Sequence, residues 1–241
     1  MEPLEAARKL ASEMERLLGG RLRSLLVHGS VARGEAVEGV SDVNVLALVD
    51  RIDAATLKSL SPLARRWAGA GNTPPLLMAW AEWRRAADAF AIELSDMKDA
   101  HVVVHGGDPL VALDVDPVAL RLQAENELRG KLMQLREGLL LAGEDSAQVG
   151  RLLLAALPSF TTYARAALRL AGRPVPRTTP EAIEAAAELI GAVPRPLLHV
   201  WDARARKEPL ALALDDPLVV GYHEFAERTA AFVDALHGEA E

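Results

Sequence analysis

The 241-residue chain contains no cysteine. Disulfides, zinc–thiolate centres and thiol nucleophiles are thereby excluded together, and the absence agrees with a reducing cytoplasm. A surplus of basic residues is also missing. The net charge is −7 and the isoelectric point is near 5.5, which disfavours nucleic acid as a general partner, because neutralising many phosphates needs an excess of Lys and Arg. No apolar run approaches the ~20 residues needed to cross a bilayer. The opening "MEPLEAARKL" has no basic segment followed by an apolar block, so neither a signal peptide nor a membrane partner is expected. The expectation is a globular cytoplasmic protein.

Several chemical signatures are absent as well. "HGSVARG" around Ser30 is not a nucleophile elbow, which needs Gly-x-Ser-x-Gly. There is no Walker loop ending in Lys-Ser or Lys-Thr, and no dinucleotide fingerprint. Internal repeats and low-complexity tracts are not evident.

What is present divides by texture. Leu4, Ala7, Leu10, Ala11, Met14 and Leu18 fall on one helical stripe closed by Gly19-Gly20, predicting an amphipathic first helix. "RLRSLLVHGS" and "DVNVLALVD" are short apolar runs of strand type. A helix is expected from Ala54 to Trp67, and a short strand after the two prolines of "TPPLLMAWAEW". In "AFAIELSDM", Phe90, Ile92 and Leu94 alternate with Ala91, Glu93 and Ser95, so a further strand is expected there, with Glu93 and Ile92 on opposite faces. The valines of "AHVVVHGGDP" lean toward strand.

Beyond "GGDPL" the pattern becomes helical, with a boundary expected near residues 106 to 117. Asp116 and Pro117 read as the cap and first residue of a helix ending at Gly143. Others are expected from about Ser146 to Ala171 with a bend at Pro158, over "TTPEAIEAAAELIG", over "RPLLHVWDARAR" and over "DDPLVVGYHEFAERTAAFVDALHG".

The chemistry concentrates in "HGSVARGEAVEGVSDVNVLALVD", residues 28 to 50. Glycine lets a backbone approach a phosphate closely, and a following hydroxyl and helix start can add donors. Asp42 and Asn44 have period-2 spacing at the start of a strand, which places two oxygen donors on one face, where a hard cation can be gripped. Gly-Ser, a spacer carrying Arg33 and Gly34, and then "SDVNVLALV", in which Asp42 and Asn44 open an apolar strand, resemble the nucleotidyltransferase superfamily of the DNA polymerase beta type. Bacterial members with a helical C-terminal domain, such as aminoglycoside adenylyltransferases, are similar over most of the chain.

That resemblance implies an α+β fold: a small mixed β-sheet nucleotidyltransferase domain with flanking helices, residues 1–112, then an all-α helical bundle, residues 113–241. It also implies a cleft between them for a nucleoside triphosphate and its acceptor. It puts Gly29 and Ser30 against the nucleotide phosphates, with Arg33 to neutralise them, and Asp42 and Asn44 on Mg2+. Glu93 stands where a third carboxylate would serve as metal ligand or general base, with Asp96 as its rival on the opposite pleat. The implied reaction is Mg-dependent transfer of a nucleoside monophosphate, AMP from ATP, to a hydroxyl of a small molecule or protein. A homo-oligomer is left open.

The departure from the pattern is Asn44, where a second carboxylate is expected. An amide oxygen still coordinates, but one negative charge is lost beside cations that two-metal enzymes hold ~3.5–4 Å apart. A unit charge against a divalent ion at ~4 Å and an effective dielectric of ~20 is worth about 8 kcal/mol before desolvation, which reduces it heavily. Weaker metal binding follows. The alternative is therefore a catalytically degenerate member that binds a nucleotide or a partner protein.

Other residues carry competing readings. "DVDP" (residues 114–117) repeats the Asp-x-Asp spacing without a Gly-Ser strand before it, and is read as a helix cap. His101 and His105 would form a zinc pair on a helix, but on a strand lie ~13 Å apart. His28 reads either as a pocket residue or as a hydrogen-bonded strand end. Arg129, Lys131 and Arg136 could reach phosphates or form a solvated helix face, and Tyr163, Arg165 and Arg169 stand open in the same way. Trp80 and Trp83 are expected to pack against the core.

Overall fold

The computed structural model describes residues 2–37 and 39–236. Among them no helix is long and apolar enough to cross a membrane. The chain divides between Val115 and Asp116 into two compact units.

The first unit opens with α1 (Pro3–Leu18), which buries Ala7, Leu10, Ala11, Met14 and Leu18 of the expected stripe, with Leu4 partly buried against them. Gly19 leaves the helical region and the chain turns into β1 (Leu22–His28). Then follow α2 (Ser30–Arg33), β2 (Asn44–Val49), α3 (Ala54–Gly69), β3 (Leu76–Ala79), α4 (Trp80–Trp83), α5 (Ala91–Asp99) and β4 (His101–Gly106). Asp53 caps α3 by accepting from the Thr56 amide at 2.8 Å.

The four strands form one mixed sheet of order β3-β2-β1-β4. β1 runs antiparallel to both β2 and β4, whereas β2 and β3 are parallel. Residues directly opposite across a ladder share a face, so the register sorts the core into two layers. Leu25, Val27, Val45, Ala47 and Val49 pack against the buried stripe of α1 and against Leu60, Leu63 and Trp67 of α3. Leu26, Leu46 and Leu48 pack on the other side against Trp83, Leu94, Met97, Leu110 and Leu113.

One expected strand is a helix. Residues 91–99 form α5, burying Ala91, Ile92, Leu94, Ser95 and Met97, while Phe90 is 44% exposed. The alternation of Phe90, Ile92 and Leu94 coexists with the spacing Ala91, Leu94, Ser95, which suits a helix equally. Glu, Leu, Met and Lys are good helix formers, and only Ile92 in the segment is β-branched. Glu93 and Asp96 therefore sit on helical turns, and the pleat that was to separate them does not exist.

The second unit contains α6 (Pro117–Ala142), α7 (Ser146–Leu170), α8 (Thr179–Ile190), α9 (Arg195–Arg206) and α10 (Pro217–Ala235). Asp116 caps α6 through the Val118 amide at 3.0 Å, as its sequence context predicts. The last two residues of the expected final helix, 237 and 238, lie outside the described residues. Pro158 lies inside α7, where it cannot donate to the Leu154 carbonyl. Arg204 of α9 approaches that carbonyl at 3.5 Å instead. Phe160, Tyr163 and Tyr222 form edge-to-face pairs at the centre, with Phe160 and Tyr222 centroids 5.7 Å apart.

Candidate functional site

The first unit gathers its polar residues at one end of the sheet. His28 closes β1, Asn44 opens β2 and His101 opens β4, and these three lie opposite one another in register. By the period-2 rule they share the face of Leu26, Leu46 and Val103. That layer is apolar inside and becomes polar where the strands end. α5 packs on the same face through Leu94 and Met97, and its Asp96 meets Arg33 of the α2 turn.

Gly29 makes the turn after β1 with φ 72° and ψ −148°, a region essentially restricted to glycine. A Cβ there would stand 3.3 Å from Asn44 Nδ2. Ser30 begins α2, which has four residues and so contributes only a small helix dipole. Asn44 Nδ2 faces Asp42 Oδ1 at 3.5 Å, a long contact, and Asp42 Oδ2 accepts from the Thr73 hydroxyl. Between them Val43 points to the other side and its amide donates to Asn72 Oδ1 at 3.1 Å. The Asp42–Asn44 segment is thus pinned by the residues leading into β3.

Arg33 ends α2 as a buried residue. Its side chain is 4% exposed, and Nη2 donates to Asp96 Oδ1 at 2.6 Å and to the Asp96 carbonyl at 3.3 Å. Burial lowers the pKa of the His28 imidazole below its ordinary value; the negative charges of Asp96 and Asp42 oppose the shift, and Arg33 adds to it. The charges of Asp96, Asp42 and Arg33 thus all act on His28. Asp96 enters this set, although sequence reasoning ranked it second. The helical spacing of its neighbours signals the turn that it occupies but not its pairing with Arg33.

The structure brings Gly29, Asn44 and Asp42 together and places Arg33 against Asp96. Glu93 lies in the first turn of α5. His101 is bound on both ring nitrogens, Nδ1 to the Met97 carbonyl at 2.9 Å and Nε2 to Asp108 at 3.0 Å, a structural role on a strand. Trp83 is buried and donates to the Pro109 carbonyl, whereas Trp80 is 38% exposed, a departure from the expected core packing. In the second unit Arg129 pairs with Asp234 and Arg136 with Glu227, tying α6 to α10. Tyr163 donates to Glu127 at 3.3 Å and Arg165 to the Thr179 hydroxyl at 3.1 Å.

A divalent ion is testable against this donor set. Among the described residues no group of three or more His, Cys, Asp and Glu side chains could hold a metal ion. Asp42 is the one carboxylate of the Asp42–Asn44 segment, its Oδ1 facing the Asn44 amino group and its Oδ2 the Thr73 hydroxyl, so these two residues form no all-protein cage for a cation.

The mixed sheet flanked by helices and followed by a helical unit is a nucleotidyltransferase-like fold. Among solved structures, the chain is similar to spectinomycin adenyltransferase AAD(9) from Enterococcus faecialis, crystallised with ATP and spectinomycin. The TM-score is 0.61 at 12% sequence identity, over 93% of this chain and 98% of that one. The chain matches no protein-family profile and no curated protein.

Proposed function

We propose that this protein is a nucleotidyltransferase that passes a nucleoside monophosphate, AMP from ATP, to a hydroxyl of a small-molecule or protein acceptor. The observation that carries the reading is the close approach of the Gly29 turn to the Asp42–Asn44 edge of the sheet, on a fold shared with an adenyltransferase that was crystallised with ATP. Residues 1–112 would hold the chemistry and residues 113–241 would help select the acceptor.

In this reading the Gly29–Ser30 turn receives the phosphates, and Arg33 adds positive charge beside it. Asp42 and the amide oxygen of Asn44 would hold Mg2+, which would supply Lewis-acid stabilisation of phosphate charge when bound. Glu93 orients the acceptor hydroxyl and takes its proton. The hydroxyl oxygen bonds to the α-phosphorus, the bond from that phosphorus to the bridging oxygen breaks, and pyrophosphate leaves with that oxygen.

A second reading rests on Asn44. Where relatives of the fold are expected to carry a carboxylate, this chain has a neutral amide, which favours nucleotide binding without transfer. One assay separates the two: Mg-dependent ATP binding and pyrophosphate release by wild type, Asp42→Ala and Asn44→Asp. Release by the wild type that is lost in Asp42→Ala supports transfer. Binding alone, with release appearing in Asn44→Asp, supports the degenerate reading, and no binding of Mg-ATP removes both.

A further inference from the structure

Arg33 ends the α2 turn that Gly29 and Ser30 begin, and its backbone amide donates to the Gly29 carbonyl at 3.1 Å. Its Nη2 is engaged twice by one residue of α5, through the Asp96 carboxylate and the Asp96 main-chain carbonyl. Its Nη1 is buried and has no hydrogen-bond partner among the described residues. An idle charged donor away from water is costly, and native proteins keep few of them without a use. An arginine already fixed in place also loses less side-chain freedom on binding a ligand than a mobile one.

We infer that Asp96 is a positioning residue for a polyphosphate ligand. It holds Nη2, fixes Arg33 and with it the Gly29–Arg33 turn, and leaves Nη1 to an anionic oxygen of the ligand. The inference rests on the reading of that turn as the phosphate-receiving end of the site. Asp96 acts through Arg33 and needs no contact with reacting atoms. Its carboxylate also offsets the buried guanidinium before any ligand arrives, so removing the carboxylate charge leaves Arg33 without its fixed anchor.

The test uses the full chain with Asp96→Asn, Arg33→Gln and the double variant. Calorimetric titration measures affinity for Mg-ATP and for adenosine, and hydrogen exchange follows the backbone amides of residues 29–34. Asp96→Asn is expected to weaken ATP binding about tenfold, to leave adenosine binding unchanged and to quicken exchange in the turn. The double variant should bind no more weakly than the weaker single variant, because both act through one contact. Wild-type ATP affinity in Asp96→Asn, equal losses for ATP and adenosine, or additive losses in the double variant overturn the proposal. If the wild type binds no ATP, the phosphate reading of the turn fails. Quickened exchange would then leave Asp96 as a tie within the fold only, and unchanged exchange would remove that tie as well.

Discussion

Gly29 lies against Asn44: a Cβ at position 29 would stand 3.3 Å from Asn44 Nδ2, on a backbone with φ 72° and ψ −148°. Two separate constraints therefore keep the position free of a side chain. The conformation itself costs a non-glycine residue about 1–3 kcal/mol, and the added methyl would push the Asn44 amide away from Asp42. Gly29→Ala is expected to lower the unfolding free energy by about that amount in urea denaturation. Mg-ATP binding should weaken more than the stability loss explains, which titration at a temperature well below the unfolding transition would reveal. Unchanged affinity would separate the turn from the nucleotide.

Asn44 faces Asp42 as a donor rather than as a second negative charge. Asn44→Asp places two carboxylates on adjacent same-face positions, which repel when no cation lies between them. The variant should melt lower than wild type in chelator and recover when Mg2+ is added, with Mg2+ affinity raised about tenfold or more. Thermal melts across a Mg2+ titration read both effects. Equal Mg2+ dependence in the two proteins would show that positions 42 and 44 do not share a cation.

Much of this was readable from residue order alone. The stripe on α1, the Asp116 cap of α6 and the helices after Asp145 follow from apolar period and capping chemistry, which act over a few residues. The Gly-Ser turn and the Asp42–Asn44 spacing are likewise local. What stayed hidden depends on contacts distant in sequence. The helix at residues 91–99 satisfies both periods over so short a span, and packing of Leu94 and Met97 against Leu26 and Leu46 decides between them. The burial of Arg33 by Asp96 spans 63 positions, and no local pattern marks it.

His28 provides a test by pH. Burial holds its pKa below the ordinary 6.5, against the opposing charges of Asp96 and Asp42. Between that lowered value and 6.5 the unfolded chain binds more protons than the folded one, so stability rises with pH in this window. The contribution is fully present above 6.5 and is lost as pH falls through the folded-state value. Melting temperatures of metal-free protein should accordingly drop on acidification below about 6.5. His28→Gln should flatten the slope in that window, and an identical slope in the variant would remove His28 as its source.

Two glycines of the second unit should respond to the same substitution with opposite signs. A Cβ on Gly150 of α7 would overlap the Leu210 carbonyl oxygen, and the adjoining segment is tied to α7 by the Leu212 amide donating to the Ser146 carbonyl at 3.1 Å. Backbone cannot yield as a side-chain tip does, so Gly150→Ala must displace the segment before α10, at a cost of about 1–3 kcal/mol. On Gly130 of α6 a Cβ meets nothing within 4 Å. Gly130→Ala there removes only the helix penalty of glycine, a gain of about 0.8–1 kcal/mol. Urea denaturation of both variants checks the contrast. A loss in Gly130→Ala as large as that in Gly150→Ala would contradict the open space beside Gly130.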